Sequence, residues 1–218
     1  MKRAARVALI SGSGFVALAA LWMYAPAWRC LDAAGLRWVH AQTPDRLIPW
    51  AEALTYAGGL PVTIPIAVAL AGVLWHRDQR PAAIVWGAGF LGGQIVVLAL
   101  KLIFGRARPY APDLLMHDFS FPSGHAFTAV VLYGALSYGG WVRWSANWSR
   151  GLLALATGLL ILATGGSRLV LRVHYPTDVL GGYLLGIAWL ALLWMALHRW
   201  GAVEPEKPAV GSPEQTTF

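Results

Sequence analysis

Charge is the scarcest commodity in this chain. Only 12% of its 218 residues are Asp, Glu, Lys or Arg, against 57% apolar residues. A soluble domain carries about 25% charged residues. The deficit excludes an ordinary water-soluble globule and makes the bilayer the solvent. Cysteine is almost missing as well. Cys30 is alone, which rules out an intramolecular disulfide and any cysteine-based metal cluster. The acidic residues are few and scattered, so the sequence offers no metal-ligand cluster and no cofactor is expected. The formal charge of +7 would suggest nucleic acid in a soluble protein. Here the basic residues sit in short loops with no aromatic-basic module between them, so nucleic-acid binding is not expected. Contact with anionic head groups accounts for them.

Long apolar runs are what the chain has instead. A spanning helix needs roughly 20 apolar residues, and this length accommodates about six. The runs lie near 7–25, 56–75, 82–104, 125–141, 151–165 and 179–197. The expected fold is therefore all-α: a six-transmembrane-helix bundle over residues 1–200, with short interfacial helices in the outer loops, chiefly at 26–55. Residues 201–218 turn polar and proline-rich and read as a disordered cytoplasmic tail. The first run, followed by "APA" at 25–27, also has the look of a signal peptide. It is longer than the usual apolar core of roughly 7–15 residues, which favours a retained span. Pro61 and Pro65 in the second run predict a kinked or late-starting helix. Trp22, Trp28, Trp75 and Trp141 near run ends match an interfacial aromatic belt. Gly182 and Gly186 form a GxxxG, which reads as helix packing.

Six spans place both termini on one side. Basic residues divide almost evenly between the two sides, and setting aside Lys101, Arg108 and Arg168 tips the balance toward the termini. That predicts cytoplasmic termini in the inner membrane, with the loops after the third and fifth runs on the periplasmic or outer face.

Three blocks break the apolar pattern, all on that outer side. "KLIFGRARP" places Lys101 at the end of the third run and Arg108 seven residues later. Alone, it fits a snorkelling lysine beside lipid-facing arginines. "SFPSGH" supplies Ser120 as a candidate N-cap, Pro122 for a first turn, and Ser123 and Gly124 with backbone N–H groups left uncovered. Alone, it fits plain capping. "SRLVLRVHYPTD" spaces Arg168, His174 and Asp178 by six and four residues. Alone, it fits an N-capping aspartate and an unrelated loop histidine. Together the blocks offer three cations, a helix N-terminus that can bind an anion, two histidines and a carboxylate. That combination suits a phosphoryl group. Phosphoryl transfer needs charge stabilisation on the equatorial oxygens, a nucleophile, and a proton for the leaving oxygen.

In these blocks the sequence resembles the type 2 phosphatidic acid phosphatase superfamily. That pattern is Lys, six residues, Arg-Pro; then Pro-Ser-Gly-His; then Ser-Arg, five residues, His, three residues, Asp. All eleven fixed positions match, in order, between residues 101 and 178. The resemblance implies a membrane lipid as substrate. It implies His174 as the nucleophile that becomes a phosphohistidine, Asp178 as its support, and His125 as proton donor to the leaving group. It also implies that Lys101, Arg108, Ser123, Gly124 and Arg168 hold the phosphoryl oxygens, with no metal. Ser167 and Pro109 read as shaping the loops. Arg106 and Arg172 read as outward-facing cations that attract an anionic substrate or face head groups. Asp113, His117 and Asp118 fall in the connecting loop, within reach of a substrate head group.

The expected activity is hydrolysis of a lipid phosphate or a polyprenyl diphosphate. The same site would also serve a lipid phosphotransferase. A small anion transporter with a basic vestibule is a further alternative, though transporters place their binding groups near the midplane. Related enzymes that hold vanadate for halide oxidation are not expected to be six-span membrane proteins.

Overall fold

The computed structural model describes residues 1–109, 119–143 and 146–199. The tail at 201–218 and the loop residues Asp113, His117 and Asp118 lie outside that range. Every regular element among the described residues is helical. Helix α1 spans Lys2–Tyr24, α2 Pro26–Gln42, α3 Ile48–Tyr56, α4 Leu60–His76, α5 Arg80–Phe104, α6 Gly124–Arg143, α7 Asn147–Val170 and α8 Pro176–Arg199.

Prolines and glycines set the boundaries. Ala25 is extended, and Pro26 opens α2 in a first turn where its missing N–H costs nothing. Gly58 and Gly59 separate α3 from α4, so the second apolar run begins its long helix late, at Leu60, with Pro65 inside it. Gly105 closes α5 at φ +57°, the left-handed conformation a glycine adopts without strain.

Among the described residues, five segments are long and apolar enough to cross a membrane: Lys2–Tyr24, the interrupted Asp45–His76, Arg80–Phe104, Asn147–Val170 and Pro176–Arg199. Their outward faces carry large apolar side chains at helical spacing, including Ile84, Leu91, Ile95, Leu98 and Leu102 on α5, and Leu152, Leu155, Leu159 and Leu162 on α7. Apolar stripes of that extent are lipid-facing surface, and they identify an integral membrane protein. Residues 26–55 fold as the seventeen-residue α2, a 3-10 turn and the nine-residue α3.

Helix α6 lies innermost. Phe127, Val131 and Leu132 are wholly buried, packed among Trp86, Phe90 and Val97 of α5 and Leu193 of α8. Helix α8 packs along both α1 and α6. The GxxxG pair makes the second contact close. A Cβ at Gly182 would stand 2.4 Å from the Ser123 carbonyl oxygen, and one at Gly186 2.9 Å from the Val130 Cβ. Two bare glycines thus bring the start of α6 against the start of α8.

A second cluster seals the same end. Phe121 stacks between Phe15 and Trp22 of α1, with centroids 5.6 and 6.0 Å away, and meets Phe104 of α5 edge-on at 4.9 Å. Trp22 is therefore packed against its neighbours, whereas Trp28 and Trp75 are exposed.

Candidate active site

Each of the three blocks sits where a helix begins or ends, and all meet at one end of the bundle. Lys101 lies in the last turn of α5, only 7% exposed, so it points inward and does not snorkel. Its Nζ donates to the Phe119 carbonyl at 2.8 Å. Past the Gly105 cap, Arg108 donates from one guanidinium nitrogen to the Val173 carbonyl at 2.9 Å. The same nitrogen lies 3.2 Å from His174 Nε2.

Ser120 ties the first block to the second. Its N–H donates to the Arg106 carbonyl at 2.8 Å and its hydroxyl to the Ala107 carbonyl at 3.1 Å. This corrects the reading of Ser120 as the N-cap. The cis Phe121–Pro122 peptide follows, and α6 starts at Gly124 with Ser123 in the capping place. The Ser123 N–H donates to the Asp178 carbonyl at 2.9 Å, joining the second block to the third. The Ser123 hydroxyl is fully buried and makes no hydrogen bond among the described residues. Gly124 and His125 occupy the first turn, where helix N–H groups have no intrahelical acceptor.

Helix α7 runs to Val170, further than the apolar pattern suggested, so Ser167 and Arg168 are helical rather than loop residues. Ser167 donates to the Thr164 carbonyl at 2.7 Å. Arg168 is 6% exposed and donates to the Thr55 hydroxyl of α3. The short link to α8 buries His174 at 1% exposure. His174 Nδ1 lies 3.4 Å from Asp178 Oδ2, and that oxygen also accepts the Tyr175 N–H at 2.8 Å. Asp178 itself is fully buried in the first turn of α8.

The opposite wall comes from the α3–α4 junction. A Cβ at Gly58 would stand 2.8 Å from the His125 carbonyl, and one at Gly59 3.6 Å from His125 Nε2. The charges of Arg168, Lys101 and Arg108 all reach the His125 ring, as does His174. All eight residues singled out in the sequence are therefore at one place. His174 meets a carboxylate at Nδ1, and its Nε2 lies beside Arg108.

Sequence reasoning missed four contributors. Arg106 is not an outward cation: it is 6% exposed and pairs with Asp178 and with Asp32 of α2, each at 2.5 Å. Thr177 joins the same cluster through Asp32, and Thr55 holds Arg168. Asp32 did carry a signal. A carboxylate in a chain with ten acidic residues, next to a predicted span, needs a partner or a task.

Comparison with known proteins places this site in a family. The family model described as the PAP2 superfamily matches residues 66–202. Phosphatidylglycerophosphatase B of Bacillus subtilis strain 168 is 31% identical over 150 residues, covering 64% of this chain and 71% of that protein. Decaprenylphosphoryl-5-phosphoribose phosphatase of Mycolicibacterium smegmatis is 32% identical over 127 residues, 54% of this chain and 61% of its own. A crystal structure of a transmembrane PAP2-type phosphatidylglycerolphosphate phosphatase from Bacillus subtilis superimposes with a TM-score of 0.75 at 25% identity. It covers 88% of this chain and 96% of that one. The family match takes in the whole stretch from Lys101 to Asp178 that carries the three motif blocks, and the same bundle recurs in a solved enzyme: this chain belongs to the PAP2 superfamily.

Proposed function

We propose that this chain is an integral membrane lipid phosphatase that hydrolyses a lipid phosphate or polyprenyl diphosphate through a phosphohistidine, without a metal. The observation that carries the reading is the orientation of His174, with Nδ1 on Asp178 and Nε2 beside Arg108. Neutral His174, protonated on Nδ1, attacks phosphorus with the Nε2 lone pair, and the bond from phosphorus to the lipid oxygen breaks. His125 gives its proton to that oxygen. Lys101, Arg108 and Arg168 balance the charge on the equatorial oxygens, together with the Ser123 hydroxyl and the Gly124 N–H. The buried Ser123 hydroxyl fits this task, since a buried donor without a protein partner is uncommon. Water then attacks the phosphohistidine, His125 takes its proton, and phosphate departs.

In this reading the chain crosses six times, with α6 as an enclosed fourth crossing added to the five apolar segments and the α3–α4 segment as the second. The termini lie in the cytoplasm and the site at the outer face of the inner membrane. Phosphatidylglycerol phosphate and decaprenylphosphoryl-5-phosphoribose are the first substrates to assay, because two relatives are phosphatases named for those lipids. The test is phosphate release by purified protein from such a panel. His174→Ala is expected to release none while remaining folded, and substantial turnover by that variant would remove the nucleophile assignment. Incorporation of solvent oxygen-18 into the released phosphate separates hydrolysis from transfer to a second lipid.

A further inference from the structure

Arg106 stands outside the matched motif positions, yet its side chain is held from several sides. One terminal nitrogen donates to Asp178 Oδ1 at 2.5 Å and to the Thr177 hydroxyl at 2.8 Å. The other donates to Asp32 Oδ2. The guanidinium carbon lies 4.1 Å from the Tyr175 ring centroid and 4.9 Å from that of Trp22. Asp32 in turn accepts the Thr177 N–H at 3.0 Å and the Thr177 hydroxyl. Arginine, both aspartates and threonine are all under 8% exposed.

The charge balance of this cluster has a chemical meaning. Arg106 and Asp178 alone would form a neutral pair, with the carboxylate largely satisfied by the guanidinium. Asp32 adds a second negative charge on the far side of Arg106. The three groups together then carry one net negative charge, next to a histidine that becomes cationic when it takes the phosphoryl group. Geometry points the same way. Arg106 engages Oδ1 of Asp178, which leaves Oδ2 turned toward His174 Nδ1.

We propose that Arg106, held by Asp32, is a positioning residue of the reaction: it fixes the Asp178 carboxylate against His174 and leaves a net negative charge to stabilise the histidine cation. The role rests on the phosphohistidine reading above. It differs from plain cross-bracing of α2, α5 and α8 in one respect. A brace acts whether or not Asp178 is a carboxylate, whereas a positioning residue acts only through it.

The experiment is a double-mutant cycle on the full chain, purified in detergent and reconstituted in phosphatidylcholine vesicles. The substrates are phosphatidic acid, phosphatidylglycerol phosphate and farnesyl diphosphate. Arg106→Ala is expected to lower kcat by roughly 10–100-fold, with KM changed by less than about 3-fold. Arg106→Lys restores part of the loss, because a lysine keeps the charge but not the fork. In an Asp178→Asn background the same Arg106→Ala change costs less than about 3-fold, because the group it acts through is already gone. Asp32→Asn, which keeps size and most hydrogen bonds, repeats the pattern at about 10-fold and serves where Arg106→Ala does not fold. Equal fold-losses in the native and Asp178→Asn backgrounds would overturn the role in favour of simple bracing. So would a raised KM at native kcat, which would make Arg106 a substrate ligand. Native kcat in both Asp32→Asn and Arg106→Lys would overturn it as well. If the native chain hydrolyses none of the three substrates, the phosphatase reading itself falls and the positioning role falls with it.

Discussion

The proposed mechanism gives His174 and His125 opposite tasks, and their surroundings fit that division. His174 is 1% exposed and lies against a buried carboxylate at Nδ1, a contact that favours the Nδ1–H tautomer the proposed attack needs. His125 is only half-buried, faces the α3–α4 junction and has the three cations within electrostatic reach, where a leaving oxygen would depart. A leaving group that needs no proton should therefore distinguish them. On an alkyl lipid phosphate, His125→Ala is expected to lose roughly 10²–10⁴-fold in kcat, the usual contribution of a positioned acid. With p-nitrophenyl phosphate the loss in the first step should be far smaller, visible as a retained burst of nitrophenol. An equal loss on both substrates would argue against His125 as proton donor. Ser123→Ala gives a second test at this scale. Its hydroxyl makes no hydrogen bond among the described residues, so thermal unfolding should stay put while kcat falls by about 10²–10³-fold, as for a lost oxyanion donor. An unchanged kcat would remove Ser123 from the phosphate cradle. The eight candidate site residues stood out in the sequence because they fall at fixed positions of the family pattern. Arg106 and Asp32 were not. An arginine that braces a carboxylate and one that faces lipid phosphate look alike until the fold shows what lies beside them.

At the scale of helices, the site depends on how closely α8 approaches α6. The Gly182 backbone lies so near the Ser123 carbonyl that any Cβ must push the helices apart. The Ser123 N–H bond to the Asp178 carbonyl spans that same contact. Gly182→Ala is therefore expected to destabilise the protein by about 1–3 kcal/mol and to lower kcat, since overpacking displaces one half of the site from the other. Gly158→Ala on α7 is the control. A Cβ there meets nothing within 4 Å. Replacing a mid-helix glycine with alanine at such a place is neutral or stabilises by about 0.5–1 kcal/mol. Thermal unfolding in one detergent, with kcat measured alongside, checks both, and a Gly182→Ala variant as stable and active as the native chain would show that the helices can separate harmlessly. The GxxxG spacing made this packing legible in advance, but the ends of α7 and α8 were harder to see. Arg168 lies inside a helix that the apolar run seemed to have left by Gly165, because a buried cation held by Thr55 continues the helix without adding to its hydropathy.

For the whole molecule, orientation in the bilayer decides which pool of lipid the site can reach. Composition alone leaves this close to undecided, since so many of the cations belong to the site and carry no topological information. The structure supplies a native probe. Cys30 is the single cysteine and is exposed on α2. Two residues further on, Asp32 bonds to Thr177 beside the His174–Asp178 pair. The adjacent Arg29 donates to the Trp22 and Met23 carbonyls at the end of α1. Cys30 is thus at the same end of the bundle as the site, one crossing away from the N-terminus. If the termini are cytoplasmic, a membrane-impermeant maleimide should label Cys30 in spheroplasts and spare it in sealed inverted vesicles, with detergent-solubilised protein marking full labelling. Cys30→Ser should abolish the signal without changing kcat, since the side chain contributes nothing to the charged cluster. The reverse pattern, labelling in inverted vesicles alone, would place the site on the cytoplasmic face. The reaction would then draw on lipid phosphates of the inner leaflet, and the outer-face assignment would be wrong even with every residue of the chemistry in its proposed place.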